Sequence, residues 1–165
     1  MTRYTTMDSP LGVLLLVADE DGALTAVLAP DTKGQVNRPD PAWTEDPAPF
    51  AAAVEQLTAY FEGELEEFDL PLAPRGSEFR RQVWDALDGI PYGSTVSYGA
   101  LAAAAGQSPT AVRAVAGAIG ANPLLIVRPC HRVVGANGAL TGFAAGLDAK
   151  RLLLRLESAD TALFS

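Results

Sequence analysis

The sequence predicts an α+β fold in which a small strand-containing half precedes a helical half. Strand-like patterns occur before position 30, whereas three helical patterns follow one another over residues 77–121. The charge divides in the same way: residues 1–75 have a balance of −10 and residues 76–165 of +2, which together give the net charge of −8. We therefore expect two domains, residues 1–75 and residues 76–165.

Two strands are predicted near the start of the chain, Leu11 to Ala18 and Ala23 to Ala29. Asp21-Gly22 lies between them and favours a tight hairpin turn. Pro30 to Pro49 is rich in Pro and Asp and predicts an irregular loop. Phe50 to Phe61 predicts a helix, because its apolar residues follow helical spacing. That predicted apolar face consists of Phe50, Val54, Leu57 and Phe61.

The first helix of the second half is predicted to begin after Ser77, a residue type that caps helix N-termini. Gly89 and Pro91 are expected to end it. Its apolar stripe consists of Phe79, Val83, Trp84 and Leu87.

The next two predicted helices have the outline of a helix-turn-helix. Ser97 is expected to cap the first of them and Gly106 to end it, while Ser108-Pro109 starts the second, which runs to about Ala121. Alanine is abundant from Ser97 to Asn122. The pattern has two interpretations: a packed helical hairpin, or a recognition helix with little side-chain bulk that lies close to DNA.

Composition excludes several classes of protein and site. One cysteine and one histidine allow neither an internal disulfide nor a zinc site of the usual Cys and His ligands. The apolar run Leu11 to Ala18 is too short to span a bilayer. The first six residues lack the apolar stretch of a signal peptide, so we expect a cytoplasmic protein. The acidic half has two interpretations, a solvated face or a surface that contacts another protein, and phosphate contacts are left to the second half.

The single cysteine, Cys130, directly precedes the single histidine, His131, and both follow the apolar run Leu124 to Val127. A lone cysteine after a buried segment is usually an inert small hydrophobe. Neighbouring cations would instead stabilise a thiolate nucleophile. Adjacent residues do not face each other on a helix, so we expect a bridging water between sulfur and imidazole, and a carboxylate on the other ring nitrogen.

The motif Pro129-Cys130-His131-Arg132-Val133 resembles the active-site motif of the O6-alkylguanine-DNA alkyltransferases. Further segments match that family in order and in approximate spacing. They are Thr5 to Gly12, Ile90-Pro91-Tyr92-Gly93, Val96-Ser97-Tyr98, Val112-Arg113-Ala114-Val115, Asn122-Pro123, Thr141-Gly142 and Leu152 to Glu157. The resemblance covers nearly the whole chain and is weakest over Pro30 to Pro49.

The resemblance implies a ribonuclease-H-like α/β domain with an antiparallel sheet, followed by a helical winged-helix or helix-turn-helix domain. It implies DNA repair by single-turnover transfer of the alkyl group of O6-methylguanine to a cysteine, and leaves open whether O4-methylthymine is also a substrate. The nucleotide would be flipped out of double-stranded DNA that is bound through its minor groove. No cofactor, metal or membrane is implied, and the protein is expected to be a monomer.

Roles in the reaction also follow from the resemblance. Cys130 matches the alkyl acceptor, and His131, a water and Glu157 match the relay that removes its proton. Asn122 matches the residue that holds the turn near the active site. Tyr98 matches the tyrosine that assists nucleotide rotation and the departing base.

The remaining implied roles concern DNA and the alkyl pocket. Arg113 matches the arginine that enters the base stack. The other expected DNA contacts are Tyr98, Ser97, Thr110, Ala111, Ala114 and Arg132. The expected pocket residues are Pro129, Val133, Phe143, Ala144 and Ala145.

Two positions depart from the family pattern. Arg128 stands where an aliphatic residue is usual, and it would face either a phosphate or an acidic partner. Phe143 stands where tyrosine is common, which would alter the pocket. Two other functions stay open at this point: a lesion-binding protein that does not transfer the alkyl group, and an unrelated cysteine hydrolase built on Cys130 and His131.

Overall fold

The computed structural model describes residues 1–30, 32, 38–138, 140 and 142–158. The chain forms two compact units. The first contains Met1–Arg75 together with Pro123–Val127, and the second contains Gly76–Asn122 together with the chain from Arg128 onward. Pro123–Val127, which follows the predicted helix-turn-helix, therefore belongs to the first unit.

A four-stranded sheet forms the centre of the first unit. Its strands are β1 (Arg3–Met7), β2 (Leu14–Ala18), β3 (Leu24–Leu28) and β4 (Thr44–Glu45), in the order β3-β2-β1-β4. The hairpin expected around Asp21-Gly22 is confirmed as β2 and β3, which pair antiparallel. β1 was not predicted. The expectation of an antiparallel sheet is wrong at one edge, where β4 pairs parallel to β1.

The core of the first unit lies against β2, which is buried at all its positions. Helix α1 (Ala51–Phe61) follows a 3-10 turn, as its helical spacing predicted, but its buried face is rotated from the predicted one. The apolar segment 124–127 is largely buried and lies beside β3, where the backbone N–H of Val27 donates to the carbonyl of Pro123 (2.8 Å). β3 thus fixes the segment that immediately precedes Arg128.

The second unit is mainly helical, with α2 (Glu78–Leu87), α3 (Tyr98–Ala104), α4 (Val112–Gly120) and α5 (Leu147–Glu157). The predicted caps are confirmed: the Ser77 hydroxyl accepts from the Arg80 N–H, and the Ser97 hydroxyl accepts from the Ala100 N–H. Gly106 follows α3 with a φ of 74°, a conformation that glycine adopts without a steric penalty. Two short parallel strands, β5 (Val96–Ser97) and β6 (Val133–Val134), complete the unit.

Helices α3 and α4 form the predicted helix-turn-helix, with α4 preceded by a 3-10 turn, Pro109–Ala111. α4 is held from behind by α2: the indole N–H of Trp84, which is buried, donates to the carbonyl of Ala118 (2.8 Å). The opposite face of the 3-10 turn and α4 is exposed, and its residues are Thr110, Arg113, Ala114 and Gly117. Within the described residues, no helix has the length and apolar character to cross a membrane.

Candidate active site

Cys130 lies in a single 3-10 turn, Cys130–Arg132, which leads into β6. The cysteine is 3% exposed, and its backbone N–H donates to the carbonyl of Arg128 (2.8 Å). Because β6 pairs with β5, and β5 runs directly into α3, this pairing places Tyr98 at the same end of the unit as the motif. The predicted motif therefore forms one compact, buried turn.

The carboxylate of Glu157, at the end of α5, joins both residues that follow Cys130. His131 Nε2 lies 2.6 Å from Glu157 Oε2. The Arg132 guanidinium donates to the same carboxylate from Nε (2.8 Å) and Nη2 (3.0 Å), and from Nη1 to the carbonyl of Ile90 (2.7 Å). Two parallel N–H donations of this kind hold a carboxylate in a fixed orientation.

The protonation of His131 follows from this arrangement. Burial lowers the pKa of the imidazole, although the Glu157 carboxylate acts in the opposite direction. A neutral imidazole beside an ionised carboxylate carries its proton on the facing nitrogen, so Nε2–H donates to Glu157. Nδ1 is then the basic atom, and it is buried without a hydrogen-bond partner among the described residues. The relay predicted to pass through water would use this nitrogen.

The thiol itself is held by Asn122, which is 1% exposed. The Asn122 side chain hydrogen-bonds Cys130, which lowers the pKa of the thiol, and its Nδ2 also donates to the carbonyl of Arg128 (3.2 Å). Burial outweighs these contributions and raises the pKa of Cys130 to about 11. Of the cations near Cys130, Lys150 lowers the pKa of the thiol, but burial has the larger effect, so the thiol needs a base to become the thiolate.

Lys150 is a site residue that the sequence analysis missed. Its side chain is fully buried, and Nζ donates to the carbonyls of Val133 (2.6 Å) and Gly142 (3.2 Å). Nζ also lies 6.0 Å from the centre of the Tyr98 ring. Burial lowers the pKa of Lys150 to about 8, and its charge lowers the pKa of Cys130. One feature of the sequence could have indicated this role: Lys150 lies seven residues before Glu157, so both ionisable residues fall on the apolar face of the same helix.

The reactivity of the free thiol tests this electrostatic balance. We expect the rate of Cys130 alkylation by iodoacetamide to rise about tenfold per pH unit and to level off only near pH 11, because only the thiolate reacts. The rate is measured from the mass of the protein at timed intervals. A plateau already reached near neutral pH would show that the thiolate is the resting form.

Arg128, whose orientation the sequence left open, faces acidic residues of its own chain. Its guanidinium is 8% exposed and pairs with Asp88 (Nε to Oδ1, 3.3 Å) and with Asp85 (Nη2 to Oδ1, 3.7 Å). Of the two partners that the sequence left open, the structure therefore shows the acidic one.

The expected DNA-contacting residues differ in their exposure. Thr110, Arg113 and Ala114 are exposed on the same face, and Ala111 and Tyr98 are half-buried. Ser97 is half-buried, and its hydroxyl caps α3. Arg132 does not match its expected DNA contact, because its side chain is 8% exposed and all three of its guanidinium nitrogens donate to protein oxygens.

The expected pocket residues lie on two segments. Pro129 and Val133 are buried within the motif, whereas Phe143, Ala144 and Ala145 are half-buried in the turn before α5. Thr141 lies outside the described residues. Across the part of the chain that the structure describes, no group of three His, Cys, Asp or Glu side chains could hold a metal ion.

The same chain matches two family models. Residues 2–74 match the ribonuclease-like domain of 6-O-methylguanine DNA methyltransferase, and residues 78–159 match the DNA-binding domain of that family. Both matches agree with the resemblance drawn from the sequence motifs.

Individual relatives resemble the chain over nearly its full length. A methylated-DNA–protein-cysteine methyltransferase of Mycolicibacterium paratuberculosis is 55% identical, covering 95% of this chain and 93% of the relative. A protein of the same name from Methanosarcina acetivorans is 50% identical, covering 93% and 97%. The crystal structure of Mycobacterium tuberculosis OGT in complex with DNA has a TM-score of 0.86 and 47% identity, covering 99% of each chain.

These matches cover both units and include the segment with the buried Cys130, His131 and Glu157. The fold expected from the resemblance is confirmed, with the mixed sheet in place of a purely antiparallel one. On this basis the chain belongs to the 6-O-methylguanine DNA methyltransferase family.

Proposed function

We propose that this protein repairs DNA by direct reversal, accepting the alkyl group of O6-methylguanine on Cys130 in a single turnover. The carrying observation is the geometry of His131, whose Nε2 is fixed by Glu157 while the basic Nδ1 is left for a proton. A thiol with a pKa of about 11 needs such a base, because only the thiolate attacks carbon.

The reaction is a single displacement at the alkyl carbon. The thiol loses its proton on one side of that carbon, and guanine leaves on the other. The thiol proton passes through a water to Nδ1 of His131, and Glu157 stabilises the imidazolium that forms. The sulfur lone pair forms a bond to the alkyl carbon while the bond from that carbon to O6 breaks. The electrons of the broken bond leave with guanine, and the Tyr98 hydroxyl donates a hydrogen bond to its developing negative charge. Guanine then takes a proton from water and the His131 imidazolium releases one to water, so that protons and charge balance.

The product explains the single turnover. A thioether on Cys130 has no easily displaced group, so water has no ready route to regenerate the thiol. One protein molecule is therefore consumed for each lesion.

Double-stranded DNA is the proposed partner, bound in the minor groove by the exposed face around α4. Small residues on that face allow close approach of the helix backbone, and Arg113 supplies a long side chain that can fill the space of a flipped nucleotide. Because all proposed catalytic and DNA-contacting residues belong to one unit of one chain, we propose that the protein acts as a monomer. A cytoplasmic location is part of this proposal.

The DNA product tests this function. The protein is mixed with a duplex that carries one O6-methylguanine, and the nucleosides are separated after digestion. We expect O6-methylguanine to be replaced by an equal amount of guanine, up to one lesion per protein molecule at any incubation time. Binding with an unchanged lesion would instead indicate a non-repairing lesion binder, and continued turnover would indicate a different chemistry.

Replacing Arg113 by alanine tests the proposed role of that side chain. We expect transfer from a duplex to slow by about tenfold or more, because flipping a nucleotide costs a few kcal/mol that an inserted side chain partly offsets. Reaction with free O6-methylguanine base is expected to stay unchanged, since no flipping is involved. The rates are compared under single-turnover conditions, with the exposed Arg81→Ala of α2 as a control. Equal losses on both substrates would exclude this role.

A further inference from the structure

The ion pair of Arg128 is not used by the chemistry described above. The guanidinium of this residue meets Asp88 through two contacts, Nε to Oδ1 (3.3 Å) and Nη2 to Oδ2 (3.4 Å). Asp85 lies within 3.7 Å of Nη2. A fork of two parallel contacts fixes the direction of a guanidinium as well as its distance.

The position of the two acids explains why a cation belongs there. Asp85 lies in the last turn of α2 and Asp88 is its C-cap, and that last turn contains no basic residue. Carboxylates are unfavourable at a helix C-terminus, where the unpaired carbonyls already carry partial negative charge. Arg128 supplies the positive charge that this helix end otherwise lacks.

The backbone of the same residue supports the reactive thiol. The carbonyl of Arg128 accepts hydrogen bonds from Asn122 Nδ2 (3.2 Å) and from the N–H of Cys130 (2.8 Å). The Asn122 side chain in turn hydrogen-bonds Cys130. Arg128 is therefore anchored to α2 by its side chain and to the reactive turn by its carbonyl.

The path of the chain shows where this anchor acts. Residues 123–127 belong to the first unit, and the chain returns to the second unit at Arg128. The ion pair with Asp88 thus fixes the first residue of that return, two positions before Cys130.

We propose that Arg128 is a positioning residue, whose ion pair with Asp88 holds the carbonyl that orients both Asn122 and the Cys130 turn for alkyl transfer. The inference rests on the proposed function. An aliphatic residue, usual at this position in the family, can pack here but cannot form this electrostatic anchor.

The test compares Arg128→Met, Asp88→Asn and the double variant with the wild-type protein. We expect each single variant to slow single-turnover transfer from an O6-methylguanine duplex by about tenfold, because small displacements of reacting groups reduce rates strongly. The dissociation constant for the same duplex is expected to change less than about twofold, since neither residue is a proposed DNA contact. Arg128→Lys, which keeps the charge but not the fork, is expected to recover part of the rate.

The double variant shows whether Arg128 and Asp88 act on the transfer rate through their ion pair or independently of each other. If the two residues act as one pair, the double variant is no slower than either single variant. Multiplied losses, or wild-type rates in both single variants, would overturn the proposal. Arg151→Met is the matched control, because it breaks a partly exposed ion pair with Asp148 on α5. Its transfer rate is expected to be that of the wild type.

The reactivity of Cys130 toward iodoacetamide tests the positioning role of Arg128 independently of methyl transfer. The rate at which iodoacetamide alkylates Cys130 depends on how Asn122 holds the thiol and does not require DNA. We expect Arg128→Met and Asp88→Asn to change this rate equally, at a temperature well below the unfolding midpoint of each variant. An unchanged rate in both would overturn the positioning role, whereas absence of methyl transfer in the wild-type protein would overturn only the proposed function.

Discussion

Replacing Cys130 by alanine is expected to abolish alkyl transfer and to leave binding of an O6-methylguanine duplex within about twofold of the wild-type affinity. Once deprotonated, the sulfur is the strongest nucleophile of the site toward an alkyl carbon, and Cys130 is the chain's only cysteine. The side chain is buried and does not belong to the exposed face around α4, so its truncation removes no proposed DNA contact.

Both effects are measured on one labelled duplex, by methyl transfer and by equilibrium titration. Cys130→Ser is the matched control, because its hydroxyl keeps a partner for Asn122 but is a much weaker nucleophile. We expect this variant also to transfer nothing. Any transfer by the alanine variant would place the acceptor elsewhere in the chain.

Replacing Glu157 by glutamine is expected to slow transfer by about 10²- to 10³-fold. The neutral amide cannot stabilise an imidazolium on His131, and it no longer fixes the Nε2–H tautomer that leaves Nδ1 basic. The rate is measured under single-turnover conditions with protein in excess over the duplex. A wild-type rate in this variant would exclude the relay.

The same substitution carries a cost in stability. It leaves the buried Arg132 guanidinium without its counter-charge, which is expected to lower the free energy of unfolding by about 3–5 kcal/mol. His131→Gln separates the two effects, because it removes the base but keeps the pair of Arg132 and Glu157. Transfer should fall comparably in both variants, whereas urea denaturation should show the larger loss for Glu157→Gln. Asp148→Asn, fully exposed on the same helix, is expected to change neither quantity.

Local chemistry explains the parts of the fold that the sequence predicted. The caps Ser77 and Ser97 and the turn Asp21-Gly22 depend on residues within a few positions of each other, so their patterns can be read directly. β1 was missed because Arg3–Met7 is mostly polar, with one buried residue, and pairing with β2 decides its structure. The parallel pairing of β4 to β1 is likewise set by tertiary structure.

In the candidate site, too, residues with a local sequence signal could be predicted, whereas contacts between distant residues could not. Cys130 and His131 could be found because each is unique in the chain and they are adjacent. The ion pair of Arg132 with Glu157 could not be predicted, because an arginine in a DNA-binding half is equally expected to contact a phosphate. The pair of Arg128 and Asp88 joins residues 40 apart, a contact that no local pattern specifies. Lys150 was missed because a single lysine on a helix is usually solvated.

The most direct test of the account is the mass of the peptide that contains Cys130 after reaction with a duplex carrying O6-methylguanine. We predict an added mass of one methylene group on this peptide, at one per protein molecule, with the fragment ions placing it on the cysteine sulfur. An unmodified Cys130 peptide, from protein that binds the lesion tightly or has restored guanine in the DNA, would contradict the assignment of Cys130 as the alkyl acceptor.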